Sequence, residues 1–382
     1  MSGLAALLSV VACLVAPPAG AHAPAACPSP TSRPEPAGTP WLQQRYDQRM
    51  LVRLADGHGV TVAVIDSGVD ARHPQLHDAV QPGPDHLDGG LSRLDCVGHG
   101  TAVAGIIAAR PADGVDFRGL APGATILALR VTELVELENG RRGTPADLAT
   151  AIREAVEGGA RVINLSLVLY RDDPAVRAAV ADALARDVIV VAAAGNRYAE
   201  GNPVPYPAAY DGVIGVGAVD ESGERLPSSQ VGDYVDLVAP GAGIVSTFPP
   251  AGLRAGDGTS FATPFVSATA ALLLQYRPEL SAREVAEQLR ATADGGGAAG
   301  YGAGRLNPLR ALTELAGPPS RSPGVYAPAP HPAAGPAPRT GALPLAAALL
   351  ATALLLVAAA IALPRARRRH WRPAVQRAPG NS

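Results

Sequence analysis

Residues 60–70 read VTVAVIDSGVD. Val60–Ile65 is a short β-branched and apolar run of the kind that forms a strand buried on both faces. Asp66 stands directly where the run stops, and a carboxylate there is costly unless something pairs with it. Outward from this segment the pattern repeats. Thr125–Val131, Arg161–Leu167, Val188–Ala193 and Val213–Val219 are similar runs. Helical stretches over Pro145–Gly158 and Pro174–Asp187, and a shorter one over Thr101–Ala109, alternate with them. Apolar strands alternating with helices predict an α/β fold, a mostly parallel sheet with helices on both faces. Ligands of such sheets bind beyond the carboxyl ends of the strands, which makes Asp66 the first residue to test for function.

Two further islands carry polar residues in comparable settings. Gly98-His99-Gly100-Thr101-Ala102-Val103-Ala104-Gly105 places a histidine at the start of a small-residue helix. Gly258-Thr259-Ser260-Phe261-Ala262-Thr263-Pro264 places a serine at a helix start, where Pro264 is expected within the first turn. Taken singly, an aspartate after a strand is commonly a turn cap, and a serine before a helix an N-cap. Together, in the order Asp66, His99, Ser260 and separated by 33 and 161 residues, they form the parts of an acyl-transfer triad. An α/β-hydrolase esterase is a weaker rival, because that fold orders its triad Ser, Asp, His around a G-x-S-x-G elbow.

Composition narrows the chemistry. All 32 basic residues among the 382 are arginine, so Schiff-base, phosphate-loop and Ser–Lys chemistries are excluded. Three cysteines are too few for a four-thiolate zinc site. The formal charge is -2, but residues 365–382 hold six arginines and no acid, so the remainder carries about -8. That is a poor surface for nucleic acid.

The two ends read as membrane signals. Leu4–Ala16 is apolar or small and runs into Ala19-Gly20-Ala21, a secretory signal peptide over 1–21, although no Arg or Lys precedes the apolar run. Residues 342–363 hold no charge, and 22 residues at 1.5 Å rise reach about 33 Å, enough to cross a bilayer. Arg365, Arg367, Arg368 and Arg369 follow, which assigns 364–382 as a basic cytoplasmic tail and the body to the outside, a single-pass type I arrangement. Pro-rich segments at 22–44 and 316–340 flank a folded body over 45–315, the second a semi-rigid linker.

The three islands, with Asn164-Leu165-Ser166-Leu167 and Ala192-Ala193-Ala194-Gly195-Asn196, resemble the subtilisin-like serine proteases, over roughly 60–315. The resemblance implies a subtilisin-like three-layer fold, Asp66, His99 and Ser260 as triad, and Asn196 as the oxyanion-hole side chain. The signal peptide, Pro-rich segments and C-terminal span look more specifically like the mycosins, membrane-anchored subtilases associated with type VII secretion. The implied function is a serine endopeptidase cleaving exported proteins, with type VII membrane components as partners and no cofactor. The alternative is a structural component of a secretion complex in which proteolysis is secondary.

The chain also departs from the general family. About 40 residues, many of them Pro, separate the expected cleavage site from Asp66, too few for an inhibitory prodomain, so 24–45 is expected along the catalytic body. With Cys13 in the signal peptide, Cys27 and Cys96 remain as an even pair in an oxidising compartment, and mycosins resemble this in tethering an N-terminal extension by disulfide. The segment Arg110–Asp116, matching a family calcium loop, has two carboxylates, so no structural metal is expected. Ser166, Leu167 and Val168 match one wall of the primary specificity pocket, where the family commonly has Gly in place of Val168. The added isopropyl group predicts a small P1 residue such as Ala. The run Glu133–Asn139 makes the nearby rim acidic and reads chiefly as a solvated loop.

Overall fold

The structure is a computed structural model in which residues 45–46, 48–133 and 141–315 are described. The expected signal peptide (1–21), Pro-rich extension (22–44), linker (316–340), transmembrane helix (342–363) and basic tail (364–382) lie outside the described residues, as do Cys27 and 134–140. Among the described residues no helix is long and apolar enough to cross a membrane.

Seven strands form one sheet: β1 (Thr61–Asp66), β2 (Val80–Asp85), β3 (Thr125–Arg130), β4 (Val162–Leu165), β5 (Ile189–Ala193), β6 (Ile214–Val219) and β7 (Leu237–Pro240). Their order is β2-β3-β1-β4-β5-β6-β7, and every pairing is parallel. Side chains alternate across the sheet. Val62 and Val64 face one core with helices α2 (His99–Ala108) and α5 (Thr259–Tyr276). Ala63 and Ile65 face a second core with α3 (Pro145–Glu157) and α4 (Pro174–Ala185). This two-sided burial explains the near-continuous apolar character of the strand runs. Smaller helices α1 (Gln48–Leu54), α6 (Ala282–Ala291) and α7 (Pro308–Thr313) complete the first layer.

The order also locates the site. From β1 the chain crosses to β2 and β3 on one side, and from β4 it continues to β5, β6 and β7 on the other. The crevice therefore opens at the carboxyl ends of β1 and β4, the switch point where α/β sheets bind ligands. Local signals build the covering helices. Thr144 and Asp147 form a capping box ahead of α3 with Pro145 in its first turn, and Asp173 caps α4 just before Pro174.

Three expectations need correction. Asp66 is the last residue of β1, and α2 begins two residues before the expected Thr101, so His99 is in its first turn. Pro264 is not in the first turn of α5 but inside the helix. A proline there cannot donate to the carbonyl four residues earlier, which is that of Ser260. The Ser166 hydroxyl donates to that carbonyl instead, at 2.8 Å. The proline thus ties the Ser260 backbone to the end of β4.

Candidate active site

Asp66 and His99 are buried, and His99 Nδ1 lies 2.7 Å from Asp66 Oδ1. The Ser67 N–H also donates to that oxygen at 2.7 Å. A carboxylate can only accept, so Nδ1 carries the proton and Nε2 of the neutral ring is the basic nitrogen. Such an approach needs the N-terminus of α2 pressed against β1. Gly100 permits it: a Cβ there would stand 2.1 Å from the Gly68 carbonyl and 3.1 Å from Asp66 Cβ.

A second buried acid, which sequence reasoning missed, holds that helix end. Gly98 at the N-cap has no side chain to offer. Asp95 replaces it, accepting from the N–H groups of Val97 (3.1 Å), Gly98 (2.8 Å) and Thr101 (2.8 Å) and from the hydroxyls of Ser67 (2.9 Å) and Thr101 (2.7 Å). Ser67 in turn accepts from the Gly100 N–H at 2.9 Å. Burial pushes the Asp95 carboxyl above the usual carboxylate range, against the pull of these donors. An acid four residues ahead of a histidine at a helix start was the available signal. The antiparallel hairpin of β8 (Ile244–Thr247) and β9 (Leu253–Gly256) adds a clamp on α2. Ser246 and Thr247 donate to the Ala102 and Thr101 carbonyls at 2.6 and 2.7 Å.

Ser260 lies in the first turn of α5 and is 8% exposed. The His99 ring packs edge-on against Phe261, the next residue, with centroids 5.5 Å apart, so the imidazole stands against the turn that carries Ser260. Behind it a buried polar chain runs from α5 to β4: Ser267 donates to Asn164 Oδ1 at 2.8 Å, and Asn164 Nδ2 donates to Ser166 at 3.0 Å.

Asn196 follows β5. Its Oδ1 accepts from the Thr259 N–H at 2.9 Å and the Thr259 hydroxyl at 3.2 Å, while that hydroxyl accepts from the Gly195 N–H at 3.1 Å. With Oδ1 so committed, Nδ2 is the amide's remaining donor. It lies 2.9 Å from where a Cβ of Gly258 would stand, and Gly258 has φ +124°, a backbone that excludes other residues. The loop before α5 therefore closes directly over the Asn196 amide.

Ser166, Leu167, Val168, Asn196 and Ser260 share the wall of one cleft of about 900 Å³. Asp66 and His99 pair beside the turn that carries Ser260 and do not themselves line the cleft. Of the expected acidic run only Glu133 is described. Glu133 is consumed by Arg130 and Arg141, which also bind Asp88, and hydrogen bonds from Arg141 and Arg130 hold the Asp88 carboxyl well below its usual range. Cys96, beside Asp95, is disulfide-bonded. Among the described residues no three His, Cys, Asp or Glu side chains converge as a metal site requires.

Comparison with known proteins gives these features a context. A model described as the Subtilase family matches residues 57–306. Subtilisin DY of Bacillus licheniformis is 38% identical over 254 residues, 66% of this chain and 90% of that protein. Thermitase of Thermoactinomyces vulgaris is 37% identical over 262 residues, 68% and 90% of the two chains. Among solved structures, the MycP3 protease from the type VII (ESX-3) secretion system is similar with TM-score 0.65 and 32% identity, over 75% of this chain and 90% of that one. MycP1 from Mycobacterium smegmatis is similar with TM-score 0.64 and 28% identity, over 76% and 88%.

Proposed function

Because the chain belongs to the subtilase family and is a subtilisin-like serine protease, we propose that it is a membrane-anchored endopeptidase that cleaves exported proteins through an Asp66–His99–Ser260 acyl-enzyme mechanism. The observation that carries the mechanism is the 2.7 Å bond from His99 Nδ1 to buried Asp66, which leaves Nε2 as base against the Ser260 turn. His99 Nε2 takes the Ser260 hydroxyl proton as Oγ attacks the peptide carbonyl. The imidazolium, stabilised by Asp66, then gives that proton to the leaving amine. Water hydrolyses the ester by the same route in reverse roles. The Ser260 N–H and Asn196 Nδ2 receive the developing oxyanion. Asn196→Ala is expected to lower kcat by about 10²- to 10³-fold with KM nearly unchanged, as loss of a donor made useful only in the transition state requires; the magnitude is that of the equivalent change in subtilisin.

Val168 on the pocket wall supports a small P1 residue. The test is a peptide library cleaved by the full chain purified from detergent-solubilised membranes. The wild type is expected to favour Ala over Phe at P1 by about 10-fold or more, and Val168→Gly to recover cleavage after Phe. Robust wild-type cleavage after Phe or Leu contradicts the narrow pocket. The uncharged 342–363 segment and its arginine flank support the anchor, which release of the chain without detergent would contradict. Cys27 is the proposed partner of Cys96, tethering the N-terminal segment beside the loop that leads into α2 and His99. It closes a loop of about 70 residues, for which chain entropy gives roughly 4 kcal/mol. The same preparation should show no free thiol on Cys27 or Cys96 by unreduced mass analysis. The mycosin neighbours come from type VII secretion systems, and that likeness supports exported substrates at the outer membrane face.

A further inference from the structure

The cleft wall has an edge of unusual occupancy. Leu169 exchanges both backbone hydrogen bonds with Tyr206, at 2.7 and 2.8 Å. In extended backbone the groups of neighbouring residues point the opposite way, so the Val168 N–H and carbonyl face the cleft and not Tyr206. An edge of this kind pairs with an added peptide strand. The Val168 carbonyl is already taken: Arg142, from the opposite wall, donates to it through Nη2 at 2.9 Å. Arg142 is held in place by the pairing of its own backbone with Thr132.

Among the described residues, charge around this contact is one-sided. The carboxylates that share the cleft wall are engaged elsewhere: Asp172 with Arg177, Asp173 as the cap of α4, and Glu200 with Arg197 at 3.4 Å. Among the described residues neither Arg142 nor the adjacent Arg171 has a carboxylate within ion-pair distance. A guanidinium hydrogen-bonded to a neutral carbonyl gains more from a carboxylate, in bidentate geometry, than it loses by leaving that carbonyl.

We propose that Arg142 is a specificity-determining residue that crosses the cleft to the Val168 carbonyl and, when a peptide strand takes the Val168 edge, moves to an acidic side chain on that peptide. The register follows from spacing. Ser166 contacts the Ser260 backbone, so the peptide residue whose carbonyl is attacked lies beside Ser166. Val168 is two residues, about 7 Å, further along. The favoured acid is therefore two positions before the residue whose carbonyl is attacked, the P3 position. This inference rests on the protease reading and specifies its substrate class as peptides with a small P1 and an acidic P3 residue.

The test measures kcat/KM of the full chain for three peptides with Ala at P1 and Glu, Gln or Lys at P3. The wild type is expected to rank Glu above Gln above Lys, with about 2- to 5-fold between Glu and Gln, the size of an exposed charge pair. Added salt should shrink that ratio. Arg142→Gln should abolish the Glu preference and raise the rate for the Gln peptide, because the Val168 carbonyl is no longer capped. Arg142→Glu should invert the order to favour Lys. Equal wild-type rates on all three peptides, or a Glu preference that persists in Arg142→Glu, overturn the proposal while leaving the protease reading intact. A wild-type chain that cleaves none of the three contradicts both. The wild-type series decides even if a variant folds poorly.

Discussion

Ser260→Ala is expected to lower kcat/KM by about 10⁶-fold while peptide binding persists, the magnitude being that of the corresponding change in subtilisin. The serine makes few contacts that folding needs. Its backbone carbonyl, not its hydroxyl, accepts from Ser166, and alanine keeps that bond. The first turn of α5 is organised by Thr259 and Asn196, which the substitution does not touch. Loss of one hydroxyl should therefore appear in turnover and leave thermal stability nearly unchanged. Turnover within ten-fold of wild type would place the nucleophile elsewhere. A variant that no longer folds would show that the hydroxyl has a structural task that the hydrogen-bond pattern does not reveal.

Asp66→Asn should cost about 10⁴-fold in kcat, the scale seen when the corresponding acid of a serine-protease triad is made an amide. Asp66 Oδ1 accepts from both His99 Nδ1 and the Ser67 N–H. In the variant an amide NH₂ turned to His99 occupies the position where Oδ1 now accepts both bonds, so that orientation also gives up the Ser67 bond. Nδ1 must then accept, the ring proton moves to Nε2, and no base remains to deprotonate Ser260. The site stays packed, because Asn is isosteric and α2 is still held by Asp95, Ser67 and Gly100. The measurement is kcat across pH with peptide in excess. A loss of less than ten-fold would mean that the carboxylate does not set the tautomer.

How far the sequence reaches depends on which residues carry more than one signal. β1, β3, β4, β5 and β6 are legible because burial on both faces demands apolar residues at every position. β2 is not: Val80–Asp85 reads VQPGPD, and such Pro and Gly content is tolerated only because the strand lies at the sheet edge. The β8–β9 hairpin is also silent in the periodicity, since its strands are four residues each and the neighbouring Ser246 and Thr247 are both given to hydrogen bonds with α2. Asp66, His99 and Ser260 stand out because each sits at an element end amid small residues. Asp95 escapes because its work is done for backbone N–H groups, which a sequence does not display. Pro264 is misread for a related reason: its tolerance inside α5 depends on the Ser166 hydroxyl, 98 residues earlier in the chain. The edge offered by Val168 likewise depends on Tyr206, and its occupant on Arg142, a contact across the cleft.

The central claim is that one serine is made nucleophilic by a neutral imidazole that a buried carboxylate orients. Labelling of the purified full chain with a serine-directed fluorophosphonate tests it most directly. The account predicts a single adduct on Ser260. It predicts no adduct in Ser260→Ala and strongly slowed labelling in Asp66→Asn. Equal labelling of Ser260→Ala, an adduct on another residue, or a rate indifferent to the Asp66 substitution would contradict it.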